Sequence, residues 1–518
     1  MKKIETFDTT LRDGAQTKRI SFSLRDKLKI VSLLDSLGVD FIEINMLDDM
    51  DFEFAQRLKE CNLKNSRITA FGSTCRIFEK PSDNKALSYI VNGGFSAASI
   101  FGKAWDLHVS DVLGTNGNEN LRMIYDSVSF LAKKKIDVIF DAEHFFDGYK
   151  SNPFYASEVL KTALAAGAYR LVLCDTNGGC FPDEVYDITS KICADVGDVV
   201  GIHAHNDGGM AVSNTLFAVK AGAVHVQGTI NGIGERCGNA NLATVTANLQ
   251  LKKDMMLIPP ENLSKLTYVC RAVAETSNIS LRNMPYVSRQ AFSHKAGMHI
   301  DGVIKNPESF EHVDPRAVGN ERNFVVSGIA GRSALIDAIH RVAPDIDKNS
   351  PETAEILREI KEREQRGFQY DAADASLELV IKKSLRLFKK HFDIDLCRLI
   401  DEHDSRRERC YSSVFIKVFV GDSEEITAAD SDGPVHAMDI ALRKALDRFY
   451  PSLRSMKLSD YKVRVLNSEA ATGSTTRVLI ETSENGQTWT TIGVSENIIE
   501  ASLEALVDSI EYKLNREQ

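Results

Sequence analysis

Val200-Gly201-Ile202-His203-Ala204-His205-Asn206-Asp207 decides how the first half of this chain folds. It opens on small and apolar residues, as a buried strand does, and then sets two imidazoles one residue apart. On a β-strand that spacing puts His203 and His205 on the same face. They are either two histidines on an exposed strand edge or two ligands of one ion, and an ion needs further ligands from elsewhere. The choice depends on which other strands end beside this one.

Working outward, short β-type runs recur at 4–9, 39–45, 67–72, 97–102, 137–143, 169–175, 199–205 and 225–230. Between them lie stretches with apolar residues at helical spacing, among them 24–37, 52–60, 121–133, 153–166, 183–196 and 211–220. Eight strands, each followed by a helix, in roughly 250 residues are the count and size of an α/β fold of the (β/α)8 TIM-barrel kind. The other candidate architecture, an open doubly wound sheet, usually carries a Gly-rich turn after its first strand. Here that position reads Asp8-Thr9-Thr10-Leu11-Arg12-Asp13-Gly14.

A barrel gathers its chemistry where its strands end. Arg12 and Asp13 follow the first strand, Glu43 and Asn45 close the second, and Glu143 and His144 close the fifth. Asp175 and Thr176 close the sixth, and Glu235, Arg236 and Asn239 follow the eighth. Asp13, His203, His205 and Asn239 would make a mixed N/O site for a divalent metal such as Mn, Mg, Zn or Co, and without a thiolate it leans towards an exchangeable catalytic ion. Such an ion could polarise the carbonyl of a bidentate 2-keto acid. Arg12 can stabilise a developing alkoxide, Glu143 and His299 are candidates for general acid or base, and Thr176 offers a hydroxyl to a substrate carboxylate. Gly232, Gly234 and Asn239 lie in a Gly-rich loop where barrels often bind phosphates, which permits a CoA-type ligand. Each has a plainer alternative: an ion pair with a barrel carboxylate for Arg12, a basic partner at the barrel rim for Glu143, a surface histidine for His299.

Composition bounds the rest. The apolar fraction is 43% and the charged fraction 26%, as in ordinary globular proteins, and no apolar run is long enough to cross a bilayer. The basic start has no apolar core behind it, so no signal peptide is expected. Nine cysteines without CxxC spacing suit a reducing cytoplasm, and the net charge of −10 argues against nucleic acid as a partner. Residues 351–365 are charge-dense with helical period, as in a solvated linker helix. A weak repeat follows: strand, turn, strand and helix at 413–420, 425–430 and 435–449 recur at 476–482, 488–494 and 498–514, at an offset of roughly 60 residues. Gly421-Asp422 and Asn485-Gly486 are the hairpin signals. A duplicated α+β unit of this kind suits regulation or dimerisation. The expected domains are a catalytic barrel at 1–275, linker subdomains completing the active site at 276–368, and a C-terminal regulatory or dimerisation domain at 369–518.

Four ordered motifs then carry a family resemblance: Asp8 to Gly14, the HAHND run, Gly234-Glu235-Arg236-Cys237-Gly238-Asn239-Ala240, and His294-Lys295-Ala296-Gly297-Met298-His299. Together they resemble the acyl-CoA condensing enzymes that include 2-isopropylmalate, homocitrate and citramalate synthases. The resemblance implies a metal-dependent barrel with Asp13, His203, His205 and Asn239 as ligands and Arg12, Glu143 and His299 as catalytic residues. It also implies a homodimer, acetyl-CoA as co-substrate, and an end-product amino acid bound by the C-terminal domain. The family reaction is a Claisen condensation in which the acetyl-CoA methyl attacks a keto carbon and the thioester is hydrolysed.

Within the family, IFGKAWDLHV (100–109), DAEHFFDGYK (141–150), LCDTNGG (173–179) and YDAADAS (370–376) resemble the citramalate synthase branch. That implies pyruvate as the keto acid, (R)-citramalate as the product on the isoleucine route, and isoleucine or leucine as effector. Use of another 2-keto acid, a 3-hydroxyacyl-CoA lyase on the same barrel and a non-catalytic amino-acid sensor are the rival expectations. Two departures stand out: residues 45–50 lack the branch's Gly/Pro-containing loop, which bears on keto-acid specificity, and Cys75 stands where the branch tends to have a second arginine.

Overall fold

The computed structural model describes residues 1–46, 49–324, 331–404, 409–466, 474–484 and 487–517. It divides into two compact units, one of Met1–Phe292 with Val313–Glu321, the other of Ser293–His312 with Arg322–Gln518.

In the first unit, eight parallel strands close on themselves: β1 (Glu5–Asp8), β2 (Phe41–Asn45), β3 (Arg67–Ser73), β4 (Ala97–Lys103), β5 (Asp137–Glu143), β6 (Arg170–Asp175), β7 (Val200–Ala204) and β8 (His225–Gly228). Closure is made where Glu5 and Phe7 of β1 register with His225 and Gln227 of β8. This removes the open, doubly wound alternative. The helices that follow the strands are α1 (Leu24–Leu37), α2 (Asp49–Leu58), α3 (Lys85–Gly93), α4 (Gly117–Lys133), α5 (Phe145–Ser151), α6 (Pro153–Ala165), α7 (Pro182–Val196), α8 (Ala211–Lys220) and α9 (Leu242–Lys252), with α10 (Leu266–Ser277) beyond. Local chemistry sets their ends. Ser23 and Asp26 form a reciprocal capping box at the start of α1. Gly38 ends the helix at φ 90°, where a Cβ would also lie 2.4 Å from the Pro259 ring.

The barrel interior is layered by the two-residue period of its strands. A small apolar cluster of Phe7, Phe41, Ala97, Ile139, Val172 and Cys174 packs inside the ring, separate from the larger core between strands and helices. Moving two residues along each strand from Phe41, Ala97, Ile139, Gly201 and His225 gives Glu43, Ser99, Asp141, His203 and Gln227, all buried. The interior thus turns from apolar to polar as it approaches the end where the strands stop. Each large apolar side chain in these layers contributes about 2–3 kcal/mol by leaving water, which holds the polar layer on a rigid floor.

The second unit contains α11 (Gly297–Lys305), α12 (Gly331–His340), α13 (Pro351–Gln365) and α14 (Asp374–Ser384), then two antiparallel sheets. The first sheet is β9 (Asp393–Asp404), β10 (Arg409–Val420) and β11 (Ser423–Ser431), followed by α15 (Pro434–Leu446). The second is β12 (Lys457–Val465), β13 (Thr476–Glu484) and β14 (Gln487–Ser495), followed by α16 (Ile498–Arg516). Each repeat therefore has three strands before its helix, where the sequence predicts two. The strand passed over is in both cases dense in charged residues and largely exposed, so the short alternations Ile394/Leu396 and Tyr461/Val463/Val465 stand out less than those of its neighbours. Asn485-Gly486 lies outside the described residues. The 351–365 helix is not a solvated linker: Thr353, Ile356 and Ile360 form a buried stripe, and both isoleucines join an apolar cluster of this unit.

Candidate active site

The loop after β1 is built by Asp8. Its carboxylate accepts from the Thr10 N–H and hydroxyl, both at 2.9 Å, while the Thr10 hydroxyl accepts from the Ile230 N–H. This folds the loop back over the barrel end and delivers Arg12 and Asp13 to its mouth. Asp13 is 2% exposed. Its Oδ2 lies 3.5 Å from His203 Nε2 and 3.8 Å from His205 Nε2, and the two Nε2 atoms are 3.4 Å apart. His203 belongs to β7; His205 stands one residue past it, yet points the same way, as the two-residue spacing predicts.

Asn239 reaches the same place by a different route. Its backbone bridges to His205, and its N–H donates to Gly232 O at 3.1 Å. The intervening loop folds so tightly that a Cβ on Gly238, at φ 91°, would sit 2.1 Å from Gly232 O, and one on Gly234 would sit 2.1 Å from Asn239 Nδ2 and 3.3 Å from Asp13 Oδ1. The glycines of this loop thus have a geometrical use of their own, bringing Asn239 against Asp13. Asp13 Oδ1 and Asn239 Oδ1 are buried and have no hydrogen-bond partner among the described residues. A carboxylate, an amide oxygen and two imidazole nitrogens, with two oxygens lacking a donor, fit a divalent cation.

Beside this cluster, Arg12 donates from Nε to Glu43 at 2.7 Å and from a terminal nitrogen to Asp13 at 3.2 Å, with its guanidinium 4.2 Å above the Phe71 ring. Burial pushes Glu43 up to about 7 against the pull of Arg12. Burial also opposes the charge on Asp13, but Arg12 and His203 hold it well below the usual carboxylate range. His205 is brought down to about 4 by burial and by His203. His203 moves the other way, because Asp13 outweighs burial.

The remaining predicted residues fall into two groups. Glu143, at the end of β5, is ion-paired with Lys103 at the end of β4, as its plainer alternative anticipates. Thr176 accepts the His144 N–H at 2.9 Å through its hydroxyl oxygen, and its carbonyl accepts from Arg236, which also grips Asp207 with two bonds of 2.8 Å. His299 belongs to the second unit, on α11, where it is exposed and stacked on Phe310 with centroids 4.3 Å apart. Cys75 is fully buried, with its N–H donating to Ser127 of α4. Of the 45–50 stretch, Leu47 and Asp48 lie outside the described residues, and Met46 is fully buried. Sequence reasoning gave no role to Asp141, Gln227 or Lys103. For Gln227 there is a signal: a polar residue two positions beyond His225 in a strand that should be buried on both sides.

The chain is similar to known proteins along its whole length. Residues 3–273 match the HMGL-like family, residues 286–367 the homocitrate synthase post-HMGL domain-like family, and residues 371–514 the LeuA allosteric (dimerisation) domain. The chain is 48% identical to an (R)-citramalate synthase of Aquifex aeolicus, over all of this chain and 99% of the relative. It is 44% identical to one of Geobacter sulfurreducens over the same shares. A 2-isopropylmalate synthase of Sulfolobus acidocaldarius is 33% identical over 74% of this chain and 97% of its own. The chain belongs to the family of metal-dependent HMGL-like barrels that contains the citramalate and 2-isopropylmalate synthases.

Proposed function

We propose that the protein is an acyltransferase that condenses acetyl-CoA with pyruvate to give (R)-citramalate and CoA. The observation that carries this is the convergence of Asp13, His203, His205 and Asn239 at the barrel mouth, with Arg12 beside them. The names of the full-length relatives supply the substrate. Asp13, His203, His205 and Asn239 would hold the divalent metal, which when bound polarises a keto carbonyl as a Lewis acid.

The chain's own residues supply the rest. Arg12 uses two of its five N–H donors on Glu43 and Asp13, and the remainder can meet an oxygen on which negative charge develops. The fixed Arg12–Glu43 pair means this donor is oriented before substrate arrives. Deprotonation of the acetyl methyl falls to Glu143, held beside Lys103, or to His299; the alternatives differ in that only Glu143 begins with a cationic partner at hand. Thr176 retains its hydroxyl proton for a substrate carboxylate, since its bond to His144 uses the oxygen as acceptor. The C-terminal segment is assigned to dimerisation and to binding of an amino-acid effector, isoleucine or leucine, in line with the description of the domain it matches.

The test is CoA release by the full chain with Mn²⁺ and acetyl-CoA, against pyruvate, 2-ketoisovalerate and 2-ketoglutarate. Pyruvate is expected to give the highest kcat/KM. Faster turnover of either larger keto acid overturns the substrate assignment, and cleavage of a 3-hydroxyacyl-CoA to acetyl-CoA and a carbonyl product, with no condensation of any keto acid, would replace the synthase with a lyase.

A further inference from the structure

A single file of hydrogen bonds crosses the barrel interior beneath the candidate metal cluster. The Ser99 hydroxyl on β4 donates to Asp141 Oδ2 at 2.7 Å. From the other side the Gln227 amide nitrogen on β8 donates to Asp141 Oδ1 at 2.9 Å. The Gln227 carbonyl oxygen then lies 2.9 Å from His203 Nδ1. All four side chains are at least nine-tenths buried, Gln227 at 1% exposure and Ser99 at none.

The file has a direction. A carboxylate offers acceptors, so the Gln227 NH₂ must face Asp141, and its Oε1 must therefore face His203. An amide oxygen cannot donate, which makes His203 Nδ1 the N–H of the ring. Nε2, the atom that faces Asp13 and His205, is then left with the lone pair whenever the ring is neutral. His205 has no such anchor: its Nδ1 is buried and has no hydrogen-bond partner among the described residues. The two imidazoles, alike in the sequence, are not equivalent in the fold.

We infer that Gln227 is a positioning residue that fixes the tautomer of His203 for metal binding, with Asp141, itself pinned by Ser99, setting the orientation of the Gln227 amide. The inference rests on the proposed metal site. Partners of this kind typically change metal affinity 10–100-fold, and here the effect passes through a neutral amide, so shape and charge can be tested apart.

The experiment uses the full chain freed of metal by chelation and titrated with Mn²⁺ by calorimetry, and with Co²⁺ by its visible absorption. Gln227→Met keeps volume and charge but removes both hydrogen bonds. Asp141→Asn keeps the shape but lets the Gln227 amide sit either way round. Expected for Gln227→Met is Mn²⁺ binding weakened about 10–100-fold, a changed Co²⁺ spectrum, and a metal-free protein that still unfolds cooperatively, its melting temperature lowered by several degrees because buried Asp141 and His203 each lose a hydrogen-bond partner. The Mn²⁺ concentration for half-maximal activity should rise by the same factor, with kcat at saturating Mn²⁺ much less affected. Asp141→Asn should weaken binding in the same direction and by less. Wild-type Mn²⁺ affinity and Co²⁺ spectrum in a folded Gln227→Met, or in Asp141→Asn should Gln227→Met not fold, overturns the inference alone. A wild-type chain that binds neither ion overturns it together with the metal site.

Discussion

Replacing Gly234 with alanine tests the site through a single methyl group. Gly234 is not among the residues at positive φ, so alanine meets no backbone penalty there and the effect is steric. The new Cβ would lie 2.1 Å from Asn239 Nδ2, where ordinary contact begins at 3.4 Å, so the amide must retreat by about 1.3 Å, the difference of the two. It cannot carry its backbone along, because Asn239 N–H is bonded to Gly232 O and the residue bridges to His205. The side chain must rotate instead, which breaks the Nδ2 bond to Ile233 O and moves the amide from its place beside Asp13. A displacement of this size at a reacting centre costs on the order of 100-fold in rate, and the added methyl costs about 1–3 kcal/mol of stability by overpacking. We expect Gly234→Ala to lose about 10–100-fold in Mn²⁺ affinity by calorimetry and about 100-fold in kcat/KM for CoA release. Gly179→Ala, whose Cβ would meet nothing within 4 Å, is the matched control. A folded Gly234→Ala that binds Mn²⁺ and turns over as the control does would refute the role given to Asn239.

Arg12→Lys should retain the fold yet lower kcat about 100- to 1,000-fold in the same assay, because an ammonium cannot grip Glu43 and Asp13 at once as the guanidinium does. At the other end of the barrel, Glu5 receives two bonds from Arg170 and one from the Tyr169 hydroxyl; burial works against its charge, but these and His225 hold it well below the usual range. Glu5→Gln should therefore cost about 2–3 kcal/mol in urea unfolding at neutral pH, with the difference from wild type shrinking as pH falls below the unfolded value near 4.5, since Glu5's contribution is lost on protonation. Asp8 has the opposite sign: burial lifts it from 3.8 to about 7 despite its bonds to Thr10, so the folded chain holds a proton the unfolded chain releases, and stability declines as pH rises across that window. Asp8→Asn should remove the decline, its melting temperature gaining on wild type between pH 5 and pH 8; a gap that stays constant or narrows would count against the assignment.

Much of the barrel is legible in the sequence because its signal is local. The 24–37 and 211–220 helices and the 137–143 strand have the same limits in the structure, since a capping box, a glycine stop and the short apolar run Val138-Ile139-Phe140 each announce themselves within a few residues. α3 and α5 are the harder helices to read: α3 keeps Leu87, Ile90 and Val91 at helical spacing but is short and ends on Asn92 and a pair of glycines, and α5 carries Gly148 in its middle. The candidate metal cluster was legible because strand order in a closed barrel converts sequence position into neighbourhood, placing Asp13 and Asn239 beside β7. Gln227 and Asp141 were not, because their importance lies in which atom of an amide faces which partner. That depends on side-chain packing across the interior, from β8 to β5, which no spacing rule encodes. His299 shows the complementary limit: the motif that singles it out says nothing of the Phe310 stack it makes on α11.

The same hydrogen-bond accounting explains why this mouth favours a cation over any neutral arrangement. Three buried oxygens, Asp13 Oδ1, Glu43 Oε1 and Asn239 Oδ1, have no donor among the described residues. Each such acceptor costs about 1–3 kcal/mol if left unmet. Arg12, the strongest donor at hand, is already divided between Glu43 and Asp13. The imidazoles cannot relieve the shortage. A neutral His203 commits its one N–H to Gln227, so its Nε2 meets His205 Nε2 at 3.4 Å as an acceptor, and a second proton on the ring is one that Asp13 Oδ2, 3.5 Å from Nε2, draws to itself. A proton on His205 is disfavoured by burial and by His203, which keep that ring low at about 4. A divalent ion accepts electron pairs from all of these atoms without needing a donor hydrogen. The cluster is therefore organised around electron pairs that the protein's own hydrogens do not meet, and the Ser99–Asp141–Gln227 file is what keeps the pair on His203 pointed at them.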